Sequence, residues 1–311
     1  MHAIDLQLNG YKGVDFNGDD LTLESLRRAC SAVRADGGGT MLATVITDRL
    51  DRMIARISRL AAFREADATI RDVVAGIHVE GPFISPLPGY VGAHPREHVI
   101  PATPEAAAQL IDAGRGLVRL LTLAPEHDAG LATTRWLADR GIVVSAGHCD
   151  PTLDQLARGV DAGLSAFTHL GNGCPLSLHR HDNIIQRALA TTGLRWIMFV
   201  ADGVHVPAPA LGNFLRLAGL DRAIAVTDAT AAAAMGPGRY RLAGMDVVVD
   251  ADGAAWAADR SHLVGSTATM RHVREFLAAS LAMPPADIDR LTAVNPSRLL
   301  ESCGALTGST T

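Results

Sequence analysis

Short apolar runs alternate along the chain with stretches of helical period. The runs are AIDLQLNG (3–10), TMLATVITD (40–48), VVAGIHVEG (73–81), LVRLLTLAPE (117–126), IVVSAGHC (142–149), LSAFTHLGN (164–172), RWIMFVADG (195–203) and AIAVTDAT (223–230). Several of the stretches between them carry start or stop signals. LTLESLRRACSAVRADGG has an apolar face at i, i+3, i+4 and ends in glycines that suit a helix C-terminus. PEAAAQLIDAG follows Thr103, an N-cap residue type, and DPTLDQLARGVDAG opens on an Asp-Pro pair, which predicts a helix start there. Alternating strands and helices predict a parallel sheet, because parallel neighbours need a crossover. Eight such units predict an α/β fold of the (β/α)8 TIM type. An open doubly wound sheet competes, but no GxGxxG follows the first run.

After the eighth run, the segment 238–260 alternates and carries an Asp-Gly pair at 252–253. It predicts a β-hairpin added to the barrel at about 238–258. The remainder reads as helical. No low-complexity linker divides the chain, so residues 1–311 are expected to form a single domain.

Composition narrows the function classes. Of 311 residues, 48% are apolar and 20% charged, an ordinary globular balance. The net charge of −5 offers no basic footprint for nucleic acid and no polybasic membrane patch. No apolar run approaches the length of a membrane span. The N-terminal MHAIDLQLNG reads directly as a strand, not as a signal peptide, and the four scattered cysteines form no CxxC pair. Both features lead to the expectation of reduced thiols in a cytoplasmic protein.

The chemistry gathers at the C-terminal ends of the runs, where a barrel places its active site. The first run offers Gln7 and Asn9, the third His78 and Glu80, and the fifth His148. The sixth offers His169 and Asn172, the seventh is followed by His205, and the eighth ends in Asp228. A buried Glu80 needs a cationic partner, either a side chain or a metal. A hydrolytic zinc site takes three ligands from His and Asp/Glu and leaves a position open. Glu80, His148 and His169 form such a set, and Asp228 is then available as general base and acid. His78 lies one pair deeper than Glu80 on the same face and reads as a supporting residue.

These residues resemble the amidohydrolase superfamily, and within it the N-acetylglucosamine-6-phosphate deacetylase family. The similarity rests on ordered blocks over most of the chain: IDLQLNGYKGVDFN, GIHVEGPF, GAHP, LAPE, SAGH, THLGN, ADGVH, VTDA, GRYRLAG, GSTATM and NPSRLL. The resemblance implies that Glu80, His148 and His169 bind the metal. Asp228 would activate water and later protonate the departing amine, and His205 would polarise the acetamide carbonyl. His94 would contact the sugar, and Asn172 and Gly173 would hold its phosphate end or hydroxyls. Arg180 would bind phosphate, across the interface of a homodimer. Many amidohydrolases carry His-x-His on the first strand for a second ion. Gln7 and Asn9 stand there instead, and neutral amides are poor zinc ligands, so one divalent ion per chain is expected, zinc by its donor set.

Two departures from the family pattern stand out. The flanking strands of a small β-sandwich are missing, so the chain reads as a barrel-only member. The loop HLGNGCPLSLHRHDN keeps Arg180 but replaces its usual neighbours, bringing Asp182 beside a prospective phosphate. The expected substrate is N-acetylglucosamine 6-phosphate. The alternatives are an unphosphorylated N-acyl amine, and a cyclic amide hydrolase or deaminase of the same superfamily. A non-catalytic binding protein is disfavoured, since neither a metal ligand nor the aspartate is lost.

Overall fold

The computed structural model describes residues 2–242, 245–260 and 263–303. The eight apolar runs form eight parallel strands: β1 Ala3–Leu8, β4 Gly38–Ile46, β5 Val74–Glu80, β6 Val118–Leu123, β7 Val143–Ala146, β8 Leu164–Phe167, β9 Trp196–Val200 and β10 Ala223–Val226. Two short pairing segments, β2 Gly10–Tyr11 and β3 Val14–Asp15, follow β1. The sheet runs in the order β1-β4-β5-β6-β7-β8-β9-β10, with helices between the strands. A bridge between Leu8 and Ala229, with Asn9 N–H donating to the Ala229 carbonyl at 2.7 Å, draws its two ends together into a nearly closed TIM barrel.

Period-two alternation sorts the strand residues between two apolar layers. Leu42, Leu120, Ala166, Met198 and Ile224 face the barrel interior, and Ala43, Leu121, Phe167, Phe199 and Ala225 face the helices. The helix Asn295–Ser302 adds Leu299 to the interior cluster and closes the N-terminal end of the barrel. Above this apolar layer lies a polar one. His78 and Thr122, Thr122 and Thr168, and Ser145 and Thr168 share hydrogen bonds of 2.7 Å, all buried.

Of the helix starts expected from local signals, one is met and one is corrected. Thr103 caps its helix as expected, and Thr22, not singled out from the sequence, caps the helix Leu23–Ala35. The helix expected to begin at Asp150-Pro151 instead spans Leu153–Asp161. Thr152 is its N-cap, in a reciprocal capping box with Gln155. Two satisfied backbone donors outweigh the proline preference.

The expected hairpin is a three-stranded antiparallel sheet, β11 Gly238–Leu242, β12 Met245–Val249 and β13 Ala255–Ala257. The Asp252-Gly253 pair lies between β12 and β13, with Gly253 at φ 86°. Val247, Val249 and Ala255 pack on Ala231, Ala232 and Val264, which seats the sheet beside the barrel mouth. Residues 243–244 and those after Cys303 lie outside the described residues. Among the described residues, no helix is long and apolar enough to cross a membrane.

Candidate active site

A cleft of about 560 Å3 opens at the C-terminal end of the barrel. Glu80, the last residue of β5, is buried at its base. His148 and His169 each follow two residues after a strand end, as does Asp228. All three adopt left-handed backbone conformations, with φ of 51°, 34° and 50°. That region is sparsely populated for any residue with a Cβ, though His and Asp are enriched there. From this backbone conformation the three side chains line the barrel mouth.

The three expected ligands converge. His169 Nε2 lies 2.8 Å and His148 Nε2 3.2 Å from Glu80 Oε1, and the two imidazole nitrogens are 3.0 Å apart. One ligand atom from each residue fits within a span of 4.8 Å. The hydrogen bonds around His148 test whether a cation belongs here. Its Nδ1 lies 2.8 Å from the Tyr90 carbonyl, which only accepts, so Nδ1 carries a proton. With Nδ1 protonated, Nε2 is left facing a carboxylate oxygen, an arrangement that requires a proton or a metal ion between the two atoms. Burial raises the Glu80 carboxyl, but hydrogen bonds from His148 and His169 outweigh it and hold the group well below its ordinary value. Burial lowers His169, yet the adjacent Glu80 raises it overall. One carboxylate faced by two imidazole nitrogens takes either protons or a metal ion, and the donor set suits a divalent metal.

The residues around the cluster hold it in place. Gln7 donates from Nε2 to both Glu80 oxygens, at 3.2 and 3.1 Å, and Asn9 donates from Nδ2 to Asp228 Oδ1 at 2.8 Å. Gln7 faces inward because β1 is irregular: three steps from Asp5 to Leu8 match two from Met41 to Ala43 on β4. The extra residue changes the phase of the strand after Leu6, as a β-bulge does. Burial, and then the charge of Glu80, raises Asp228 to about 6. That value suits a group exchanging protons near neutrality.

His205 and Asn172 line the same cleft, as does His94, whose Nδ1 is 2.8 Å from Thr47 Oγ1. Gly173 lines it too. A Cβ there would fall 2.9 Å from His148 Nδ1. His78 stays below the cleft on Thr122, lowered to about 4 chiefly by burial. Arg180 is exposed and is not among the residues that line the cleft. Its neighbour Asp182 pairs with Arg187 at 2.6 Å.

Sequence reading missed Trp256, Leu263 and Val264, which build one wall of the cleft from the added sheet and the segment after it. The only local signal was the alternation of that segment, which does not say where the sheet docks.

No protein-family profile matches the chain. The chain is 30% identical over 303 residues to an N-acetylglucosamine-6-phosphate deacetylase of Bacillus subtilis (strain 168), covering 96% of this chain and 74% of that one. It is 29% identical over 303 residues to an N-acetylgalactosamine-6-phosphate deacetylase of Escherichia coli O157:H7, covering 97% and 78%. Among solved structures, it is similar to a mutant N-acetyl-D-glucosamine-6-phosphate deacetylase from Mycobacterium smegmatis in complex with N-acetyl-D-glucosamine-6-phosphate. The TM-score is 0.86 at 31% identity, covering 100% of this chain and 80% of that one.

Proposed function

Because the chain belongs to the N-acetylglucosamine-6-phosphate deacetylase family, we propose that it hydrolyses the acetamide of an N-acetylated amino sugar to acetate and a free amine. The observation that carries this reading is the convergence of Glu80, His148 and His169 on one point of the cleft that also receives Asp228.

In this reading Glu80, His148 and His169 hold one divalent ion, zinc by the preference of a carboxylate and two imidazoles. The ion supplies Lewis acidity, polarising the amide carbonyl and acidifying water. Asp228 accepts the proton of the attacking water and returns it to the departing nitrogen. Asn9 fixes one of its oxygens and leaves the other for this exchange. His205 donates to the acyl oxygen as negative charge develops there. His94, Asn172 and Gly173 bound the sugar. Gln7 and Asn9 turn their amide donors to Glu80 and Asp228, and we give them the role of bracing those carboxylates.

The names of the relatives favour a hexosamine 6-phosphate, and we take N-acetylglucosamine 6-phosphate as the substrate. Arg180 would reach its phosphate only from a second copy in a homodimer. The chain would act as a single barrel domain, in the cytoplasm. One observation favours a second reading, an unphosphorylated N-acyl amine: among the described residues lining the cleft, none is Arg or Lys.

The test is acetate release by the zinc-loaded protein from N-acetylglucosamine 6-phosphate and from N-acetylglucosamine in parallel, with metal content measured per chain. Preference for the phosphate ester at about one ion per chain supports the first reading, and preference for the free sugar the second. Release from neither, at about one ion per chain, rules out both N-acetylglucosamine substrates and keeps only a hydrolase of another acyl amine.

A further inference from the structure

Asp202 follows β9 by two residues and is buried, with 6% of its surface exposed. Its carboxylate is fully engaged by the loop that carries His205. Oδ1 accepts from the backbone N–H groups of Val204 and His205, at 2.9 and 2.8 Å. Oδ2 lies 2.7 Å from His205 Nδ1. The loop is also held from outside. The Asp202 carbonyl accepts from His272 Nε2 at 3.0 Å, and Gly203 packs so closely on Phe276 that a Cβ would fall 2.6 Å from its ring.

We propose that Asp202 is the positioning residue of the reaction, setting both the orientation and the protonated nitrogen of His205. This rests on the role given to His205 above. A carboxylate only accepts, so Nδ1 of His205 carries the proton and Nε2 is the ring nitrogen left for the cleft. With Nδ1 committed, the ring donates from Nε2 only as an imidazolium, and the negative charge of Asp202 balances that cation. Burial raises the Asp202 carboxyl, but the His205 ring and the two backbone amides together hold it below its ordinary value, so the partner stays ionised. Among the described residues, the titratable groups that face the pair from other elements are Asp228, which feels the charge of His205, and His272 behind the loop.

The test is a double-mutant cycle on the zinc-loaded enzyme, with Asp202→Asn, His205→Asn and the double variant. Asp202→Asn keeps an acceptor for the two backbone amides and removes the charge. The expected result is a kcat reduced at least tenfold in each single variant, with KM changed less than about threefold for Asp202→Asn. The double variant should be no worse than His205→Asn. Losses that multiply in the double variant, or an unchanged kcat in Asp202→Asn, overturn the proposal while leaving the role of His205 intact. Near-normal turnover in His205→Asn sinks the reading of His205 and this proposal with it.

A second readout does not need the Asp202 variant to fold. Nitrogen-15 spectra of histidine-labelled enzyme should show a ring Nδ1–H that disappears in His205→Asn. Its absence from the unsubstituted enzyme overturns the proposal.

Discussion

The side-chain amide of Gln7 donates to both carboxylate oxygens of Glu80, at 3.2 and 3.1 Å, across 73 residues of sequence. It is a neutral side chain turned on a prospective metal ligand, and it fixes the rotation of that carboxylate. Partners of this kind typically contribute 10–100-fold to metal affinity. Gln7→Leu is therefore expected to weaken zinc binding by about that factor while the barrel stays folded. Competition against a chromophoric chelator reads the affinity. An unchanged dissociation constant would show that Glu80 holds its orientation without Gln7.

Asp228 is the carboxylate that the proposed chemistry uses and the metal does not. Asp228→Asn preserves its volume and can still pair with Asn9, but cannot take a proton. Metal content should stay the same while kcat falls about 10²- to 10⁴-fold, the usual range for a lost general base. A variant that turns over near the normal rate removes Asp228 from the mechanism.

Much of this was legible because each piece depends on neighbours in the chain. Parallel strands buried on both faces read as apolar runs, and their ends are visible where polar residues begin. That alone collected Glu80, His148, His169 and Asp228. What the pattern hid depends on contacts across the fold. The sequence puts Gln7 at the barrel mouth but hides its contact with Glu80: strict alternation from Leu6 would turn it outward, and the irregular pairing of β1 with β4 brings it onto the carboxylate. Asp202 reads as an ordinary loop aspartate until its Oδ2 is seen on His205. Trp256 belongs to the added sheet, and nothing local to it says which face of the barrel that sheet covers.

Gly173 tests how tightly the site is built. It sits at φ 60°, and a Cβ there would meet the His148 ring at 2.9 to 3.2 Å. Gly173→Ala is expected to displace that ring and lower zinc affinity at least tenfold. It should also cost roughly 1 kcal/mol of stability through the left-handed backbone. Isothermal titration with zinc, together with thermal unfolding of the apoprotein, separates the two effects. Unchanged zinc affinity would mean that the ring has room to move.

Asp5 gives a prediction away from the ligands. Its buried carboxyl accepts from the backbone and hydroxyl of Thr227 and from Gln7 N–H. Burial outweighs these bonds and raises it to about 7 from 3.8. Between those values the native state keeps a proton that the unfolded chain has lost. The contribution of Asp5 is thus fully present below about pH 4 and is lost as pH rises through 7, by up to roughly 4 kcal/mol. Asp5→Asn removes this titration, and the Thr227 hydroxyl can turn to accept from the new amide. The melting temperature of the variant should gain on that of the unsubstituted protein from pH 5 to 8. A difference that stays constant with pH would mean that Asp5 titrates normally.

Arg180 decides between the two substrate readings and reports on assembly at once. It is exposed and absent from the lining of its own cleft. If it anchors a phosphate, it does so in the cleft of a second copy. Arg180→Ala should then raise KM for the phosphorylated sugar at least tenfold and leave the unphosphorylated sugar unaffected. Mixing Arg180→Ala subunits with Asp228→Asn subunits should restore activity at low substrate concentration, because each hybrid contains one cleft with its own Asp228 and a partner's arginine. Refolding the two variants together and assaying against the sum of the separate homodimers measures this. Activity no greater than the sum, with an equal effect of Arg180→Ala on both sugars, would leave the cleft without a phosphate anchor from this loop and favour the unphosphorylated substrate.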